Sequence, residues 1–253
     1  MAVISTVVMA HPQRRHMVTE LTGFLDRPTH IVWDEHDDVI DTGRRCLQAH
    51  DPKASHHLII QDDAVPCADL FAGVEKLISQ RPETFVQPLS LYVGKVRPHT
   101  AQAVRNMTMA RRERRSLMAM AGPLWGVCLV IPTDHLPALI GFYDRQGLRG
   151  YDSRIGAYYK GRQCLYTVPS LVEHRSVTEN PSLFPGRGGN RQAWWFHGRD
   201  RSALDIEWTE PWARVIDRHI VTFVQRRTRQ TRRVAVGSPL YRRLVKASEW
   251  EQA

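Results

Sequence analysis

The first half of the chain alternates short apolar runs with longer segments whose apolar residues recur at helical spacing. Val3 to Ala10 is an apolar, largely β-branched run, the pattern of a strand buried on both faces. Gln13 to Leu25 places apolar residues three and four positions apart, as in a helix with one buried face. The same two patterns then predict strands over 29–33 and 57–60 and helices over 42–49 and 68–78. This alternation predicts an α/β fold in which a mostly parallel sheet is flanked by helices on both faces.

The pattern is less regular in the second half. It predicts one or two strands over 84–93, helices over 100–120, 135–143 and 154–159, and strands over 124–131 and 164–168. Gly, Pro, Asn and Ser become frequent over 178–198, which predicts a long surface loop or lid. Trp212 to Arg229 predicts a basic amphipathic helix. We therefore expect an α/β domain over 1–177, a loop or lid over 178–211, and a basic C-terminal helical extension over 212–253 packed on the same domain.

The composition is that of an ordinary globular chain. Its 253 residues are 42% hydrophobic and 24% charged, which excludes collagen-like and low-complexity proteins. No apolar stretch approaches the roughly 20 residues of a membrane span, and we expect neither a bilayer crossing nor a signal peptide. The four cysteines match no short-spaced zinc or redox pair, so we expect buried thiols and a cytoplasmic protein.

The positive charge is concentrated near the C-terminus. The chain carries a net charge of +9, and nine Arg and one Lys against three acids fall within 212–253. A second basic cluster is Arg111-Arg112-Glu113-Arg114-Arg115. Guanidinium groups suit phosphate because the planar fork can donate two hydrogen bonds at once. Each run is equally compatible with a solvated helix face.

Polar residues follow the ends of several predicted strands. In open α/β sheets, ligands bind beyond the carboxyl ends of the strands. That rule brings together His11, Arg14, Arg15, Asp34, Asp62, Asp63, Trp125, Asp152 and His174. Two adjacent carboxylates repel each other unless a cation lies between them and a phosphate. The set therefore predicts a site for a metal ion and a diphosphate.

The segment Leu58 to Pro66, an apolar strand that ends in paired acids and a turn, resembles the metal-binding motif of GT-A-fold, nucleotide-sugar-dependent glycosyltransferases. The order of the other motifs is also similar to that family, and is closest to its small bacteriophage-type members: His11 to Arg15, Asp34, Gly150 to Arg154, and Tyr166 to His174. The resemblance covers roughly residues 3–175. Gln61 stands where a strict Asp-x-Asp motif has its first acid.

The resemblance implies a role for each of these residues. It implies that Asp63 and His174 hold Mn2+ or Mg2+, and that Asp62 faces the ribose or shares the metal. It further implies that Asp34 lies against the nucleoside of a nucleotide-sugar, most simply a UDP-sugar. The remaining implied roles are the base that deprotonates the acceptor hydroxyl, which would be Asp152, and groups near the diphosphate, which would be His11, Arg14 and Arg15.

These residues also have purely structural interpretations. Adjacent acids after a strand suit a polar turn and a helix N-cap, and Asp152 suits an N-cap as well. His174 can pair with Glu173 at the surface. Trp125 suits the core, whereas Trp194 and Trp195, in the Gly-rich stretch, are predicted to stack on a sugar or a base.

The acceptor is predicted from the basic residues. A phosphate backbone would bind the side chains of Arg111, Arg112, Arg226, Arg227, Arg229, Arg232 and Arg233. In phages, glycosyltransferases similar to this chain modify hydroxymethylated DNA bases or virion proteins, so the resemblance implies the host cytoplasm for a phage-encoded chain. We expect double-stranded DNA as the acceptor. The alternatives are a virion protein or glycan acceptor, a metal-dependent phosphoesterase or nuclease, and a non-catalytic nucleic-acid-binding protein.

Overall fold

The computed structural model describes residues 3–95, 100–175, 191–209, 220–225, 231–235 and 250–252. The chain divides into two compact units, residues 1–213 and 214–253.

Seven strands of the first unit form the central sheet, in the order β2-β1-β3-β7-β5-β8-β6. These strands are β1 (Ile4–Ala10), β2 (His30–Trp33), β3 (His56–Gln61), β5 (Leu89–Ser90), β6 (Leu117–Ala121), β7 (Cys128–Pro132) and β8 (Gln163–Thr167). β1 pairs in parallel with both β2 and β3, and only β7 and β6 run against the other five. A separate pair, β4 (Ala64–Pro66) and β9 (Val172–His174), is antiparallel. The predicted mostly parallel α/β sheet is confirmed, and it agrees with the GT-A-like sheet that the resemblance implies.

Helices cover both faces of this sheet. They are α1 (Arg15–Phe24), α2 (Val39–Gln48), α3 (Leu70–Gln80), α4 (Thr100–Arg112), α5 (Leu136–Tyr143) and α6 (Tyr151–Tyr158). Side chains alternate between the faces of a strand, so Val8 and Leu58 belong to one apolar cluster while Val7 and Ile59 belong to the other. The first cluster includes apolar residues of α1 and α3, and the second includes those of α2, α5 and α6. This arrangement explains the uninterrupted apolar runs of the central strands.

The segment predicted as one helix over 100–120 contains a helix and a strand. α4 ends at Arg112, and Arg114 has φ +54°, a left-handed conformation that does not continue a helix. Leu117–Ala121 then forms β6, whose first four residues are buried against neighbouring elements. Tertiary burial has overridden the helical propensity of its Leu, Met and Ala residues.

The helix predicted within the C-terminal extension is wrong where the structure describes it. Residues Ile220–Gln225 form β10, which lies between β11 (Thr231–Ala235) and β12 (Trp250–Gln252) in an antiparallel sheet. β10 is rich in β-branched and aromatic residues, which favour strands over helices. Its apolar residues also satisfied a helical spacing, so the pattern alone did not distinguish the two.

The prediction that the cysteines are buried thiols is confirmed. All four are free and buried: Cys46, Cys67, Cys128 and Cys164. Burial raises the pKa of both Cys46 and Cys67 to about 12, so these thiols stay protonated. Within the described part of the chain, no helix combines the length and the apolar character needed to cross a membrane.

Candidate active site at the carboxyl end of the sheet

The paired acids lie directly beyond the carboxyl end of β3. Asp62 and Asp63 are 3% and 2% exposed, and the Asp62 backbone N–H donates to the carbonyl of Met9 at 3.0 Å. After the two acids the chain continues into β4, and the next helix, α3, begins only at Leu70. The two acids therefore do not cap a helix, and the sheet places both carboxylates in the protein interior.

Arg14 joins the two carboxylates. Its Nη1 donates to Oδ1 of Asp62 at 3.1 Å and to Oδ2 of Asp63 at 2.6 Å. The backbone N–H of His11 donates to the other oxygen of Asp62 at 2.7 Å. His11 precedes, and Arg14 ends, the 3-10 turn Pro12–Arg14 that follows β1. Since β1 and β3 are parallel neighbours, the residues beyond their carboxyl ends meet.

The carboxylate pair is only partly compensated by these contacts. Burial, and then the negative charge of Asp63, raise the pKa of Asp62 to a net value of about 6. Arg14 and the His11 N–H act in the opposite direction. A second cation beside the pair would therefore be favourable.

His174 provides a second kind of ligand beside Asp63. The β4–β9 pairing sets His174 opposite Ala64, and only 4% of the histidine is exposed. Its Nδ1 lies 2.8 Å from the Arg175 carbonyl, which can only accept, so Nδ1 carries the proton in the neutral ring. Nε2 is then a lone-pair atom, 3.5 Å from Oδ2 of Asp63.

This arrangement passes a simple test for a metal site. Two lone-pair atoms that face each other need a cation or a proton between them. Metal-binding histidines usually donate their other N–H to a carbonyl or carboxylate, as His174 does. Asp63 and His174 thus fit a divalent ion that accepts both oxygen and nitrogen, as Mn2+ does.

A cleft of about 700 Å3, measured out to its open mouth, lies over β2, β1 and β3. Asp62, Asp63, Arg14 and His174 line it, with Arg191 as an additional cation. Further lining residues come from the end of β2 and the start of α2: Asp34, Asp37, Val39 and Thr42. The cleft is therefore open, polar at one wall and cationic near the acids.

Asp34 and His11 form the rim of this cleft. Oδ1 of Asp34 accepts the backbone N–H of Asp38 at 3.0 Å, which orients the loop that leads into α2. His11, Asp34 and Asp37 offer side-chain atoms within 4.8 Å of one another, a spacing that would suit a metal ion. However, the Gln13 N–H donates to Nδ1 of His11, so Nε2 carries the proton and faces Asp37 at 3.5 Å. The rim is thus better suited to hydrogen bonding with a nucleoside.

Three predicted residues lie away from the cleft. The Arg15 guanidinium is 4.6 Å from the centroid of the Trp33 ring, and the residue is exposed. Asp152 is in the first turn of α6, where its Oδ1 accepts the backbone N–H of Ser153 at 2.7 Å. Trp125 is 8% exposed and packs in the core, edge-on to two tyrosine rings.

The predicted acceptor residues Arg111 and Trp195 are in contact. The Arg111 guanidinium lies 4.5 Å from the centroid of the Trp195 ring. Both residues lie near the carboxyl end of β8. The Trp195 carbonyl accepts the N–H of Ser170, just beyond that end. Arg111 lies in the last turn of α4, which is followed by β6, and the first residue of β6 pairs with the last residue of β8. We name these two residues, with the exposed Arg112 and the 42%-exposed Trp194, the Arg–Trp surface. It lies at the same edge of the sheet as Asp63, three strands away.

The C-terminal arginines are only partly placed. Arg232 and Arg233 belong to β11, opposite Phe223 and Thr222 of β10. The other predicted residues of this group lie outside the described residues: Arg226, Arg227 and Arg229.

Two residues near the site were not predicted. The Glu173 carboxylate accepts the N–H of His174 at 2.8 Å and also that of Ala193. These two hydrogen bonds hold the segment that begins at Arg191 beside β9. Burial raises the pKa of Glu173. Glu173 adjoins His174 in sequence, which is a usable signal, whereas Arg191 stands in a stretch without periodicity.

Comparisons with known proteins add little to this description. No protein-family model and no curated protein matches the chain. Fourteen chains of solved structures match, among them a Drosophila β1,4-galactosyltransferase 7 variant in complex with manganese, UDP-galactose and xylobiose. The match covers 72% of this chain and 78% of that chain, with 11% identity and a TM-score of 0.37. A likeness this weak does not indicate which ligands this chain binds.

Proposed function

We propose that the chain transfers a sugar from a nucleotide-sugar donor, most simply a UDP-sugar, to a hydroxyl group of an acceptor. One observation carries this proposal: Asp63 and His174 face each other at 3.5 Å, inside a cleft that also holds two arginines. A metal ligand pair beside free volume and guanidinium groups suits the diphosphate of such a donor.

We place the donor in the cleft in one orientation. The rim formed by Asp34 and His11 suits the nucleoside, and Asp62, held by the His11 N–H, suits the ribose. Arg14 and Arg191 would then lie near the phosphates. When bound, a divalent ion at Asp63 and His174 supplies positive charge that stabilises the departing diphosphate.

The transfer step needs a proton acceptor. The acceptor oxygen forms a bond with the anomeric carbon, the bond from that carbon to the diphosphate oxygen breaks, and the hydroxyl proton passes to a carboxylate. We assign this proton to Asp152, as the resemblance implies. Asp152 does not line the cleft, so the assignment requires the acceptor to approach from the side of α6.

We further propose that the acceptor is a hydroxymethylated base of double-stranded DNA. The Arg–Trp surface offers cations of the kind that a phosphate backbone requires. The C-terminal segment is separately rich in arginine. Strands of a sheet lie about 4.8 Å apart, so this surface is about 14 Å from Asp63 along the sheet edge. That separation allows an acceptor to contact the surface while a base turned out of the duplex reaches the donor.

Arg111→Ala and Trp195→Ala should each lower transfer of labelled sugar to hydroxymethylated duplex DNA about tenfold, because each removes one half of the stacked pair. The affinity for UDP should be unchanged, since neither residue lines the cleft. Scintillation counting of recovered DNA measures the first quantity, and calorimetry measures the second.

Lys53→Ala is the matched control, because Lys53 is an exposed cation in the loop before the amino end of β3. Labelled sugar found only on a protein or glycan would overturn DNA as the acceptor. The absence of both transfer and donor hydrolysis in the wild-type protein would contradict sugar transfer itself.

A further inference from the structure

One oxygen of Asp63 has two close neighbours. Arg14 Nη1 lies 2.6 Å from Oδ2 of Asp63, and Nε2 of His174 lies 3.5 Å from the same oxygen. The three side chains are nearly buried, with 11%, 3% and 5% of the Arg14, Asp63 and His174 side chains exposed. A divalent ion held by Asp63 and His174 would therefore share its carboxylate oxygen with a guanidinium.

Two cations at one carboxylate oxygen repel each other strongly at low solvent exposure. Arg14 has another contact in place, because the same Nη1 also donates to Asp62 at 3.1 Å. It also lines the cleft, so its guanidinium is adjacent to the volume that a diphosphate would fill. Arg14 can thus leave Asp63 without losing all its anionic partners.

We propose that Arg14 is an exchangeable internal cation of this site. It neutralises the carboxylate pair before a metal ion binds, it leaves Asp63 when the ion binds, and it then pairs with the diphosphate of the donor. This inference rests on the proposed function for the identity of the diphosphate ligand.

The exchange makes metal binding and nucleotide binding cooperative. A metal ion that binds without nucleotide must displace Arg14, so Arg14 lowers the affinity of the site for the metal ion. A diphosphate restores an anionic partner to Arg14, so metal and nucleotide strengthen each other through this residue. Coupling of this kind is typically about 5- to 150-fold in affinity.

The test measures binding of Mn2+ without nucleotide, from the electron paramagnetic resonance signal of the free ion. We expect Arg14→Met to bind Mn2+ about tenfold more tightly than the wild type, because the competing cation is gone. Arg14→Lys should lie between them, since the ammonium keeps the charge but loses the planar fork. Arg27→Met is the control: it removes one positive charge from a half-buried ion pair with Glu75 that does not line the cleft, and it should leave Mn2+ binding unchanged.

With saturating Mn2+, Arg14→Met should bind UDP about tenfold more weakly than the wild type. Equal or weaker Mn2+ binding by Arg14→Met overturns the exchange. If Arg14→Met fails to fold, Arg14→Lys decides in the same way. If Mn2+ binding is tighter in Arg14→Met but UDP binds to no variant, the competition stands and the proposed function fails.

Discussion

Asp63→Ala abolishes sugar transfer, lowering turnover at least about a thousandfold, which corresponds to a loss of about 4 kcal/mol of transition-state stabilisation. The physical reason is that Asp63 supplies the carboxylate that faces Nε2 of His174 at 3.5 Å. Without it, His174 alone is left to hold the metal ion. Turnover of labelled UDP-sugar measures the effect, and calorimetry should show that Mn2+ no longer strengthens UDP binding.

The fold should survive this substitution. Arg14 keeps its contact with Asp62 at 3.1 Å, so no charge is left without a partner, and repulsion between the two carboxylates disappears. Circular dichroism should therefore show a cooperative unfolding transition within a few degrees of the wild type.

Asp144→Ala is the matched control, because Asp144 forms an exposed ion pair with Arg44 and does not line the cleft. It should retain full turnover. Near-normal turnover in Asp63→Ala would refute the role assigned to Asp63.

The second large effect is a loss of stability on acidification, caused by His57. This residue is fully buried in β3, with Nε2 donating to the Cys46 carbonyl at 2.9 Å and Nδ1 accepting from the Ser5 hydroxyl at 2.8 Å. Burial lowers the pKa of His57 from 6.5 to about 4. A difference of this size between the folded and unfolded chains corresponds to about 3 kcal/mol.

The direction follows from proton binding. Between pH 6.5 and about 4 the unfolded chain binds a proton at this residue and the folded chain does not. The contribution of His57 is therefore complete above pH 6.5 and is lost as the pH falls towards 4. Burial lowers the pKa of His56 as well, which adds to the loss.

Urea unfolding at pH 7, 5.5 and 4.5 measures this dependence. His57→Gln should be less stable at pH 7 but should lose less of its free energy of unfolding on acidification than the wild type. His30→Gln, at an exposed position of β2, should leave the dependence unchanged. The prediction is wrong if His57→Gln and the wild type lose equal free energy between pH 7 and 4.5.

The sequence predicted the part of the site that is built from parallel strands. Asp34 and the paired acids each follow a strand, and the carboxyl ends of neighbouring parallel strands meet at one edge. The placement of Asp62, Asp63 and Asp34 in one cleft follows from that geometry alone. The partners of the acids were less predictable, because Arg14 and Arg15 are adjacent and only the turn after β1 decides that Arg14 points inward.

The remaining differences arise from interactions between distant segments. β6 is a strand because it pairs with β8, a contact that its Leu, Met and Ala composition does not signal. β10 pairs with β12 across more than twenty intervening residues, which no local pattern encodes. Likewise, the Glu173 carboxylate accepts the backbone N–H of Ala193. Any residue type other than proline could donate this bond, so the sequence at position 193 does not indicate the contact.

The most direct test of the account is the unfolding temperature of the wild-type protein with UDP, with Mn2+, and with both together. A metal-dependent nucleotide site predicts that UDP raises this temperature markedly only when Mn2+ is present. Asp63→Ala should show no such rise. An equal rise with UDP in the absence of any divalent ion, or a rise with DNA but none with UDP and Mn2+ together, would contradict the account.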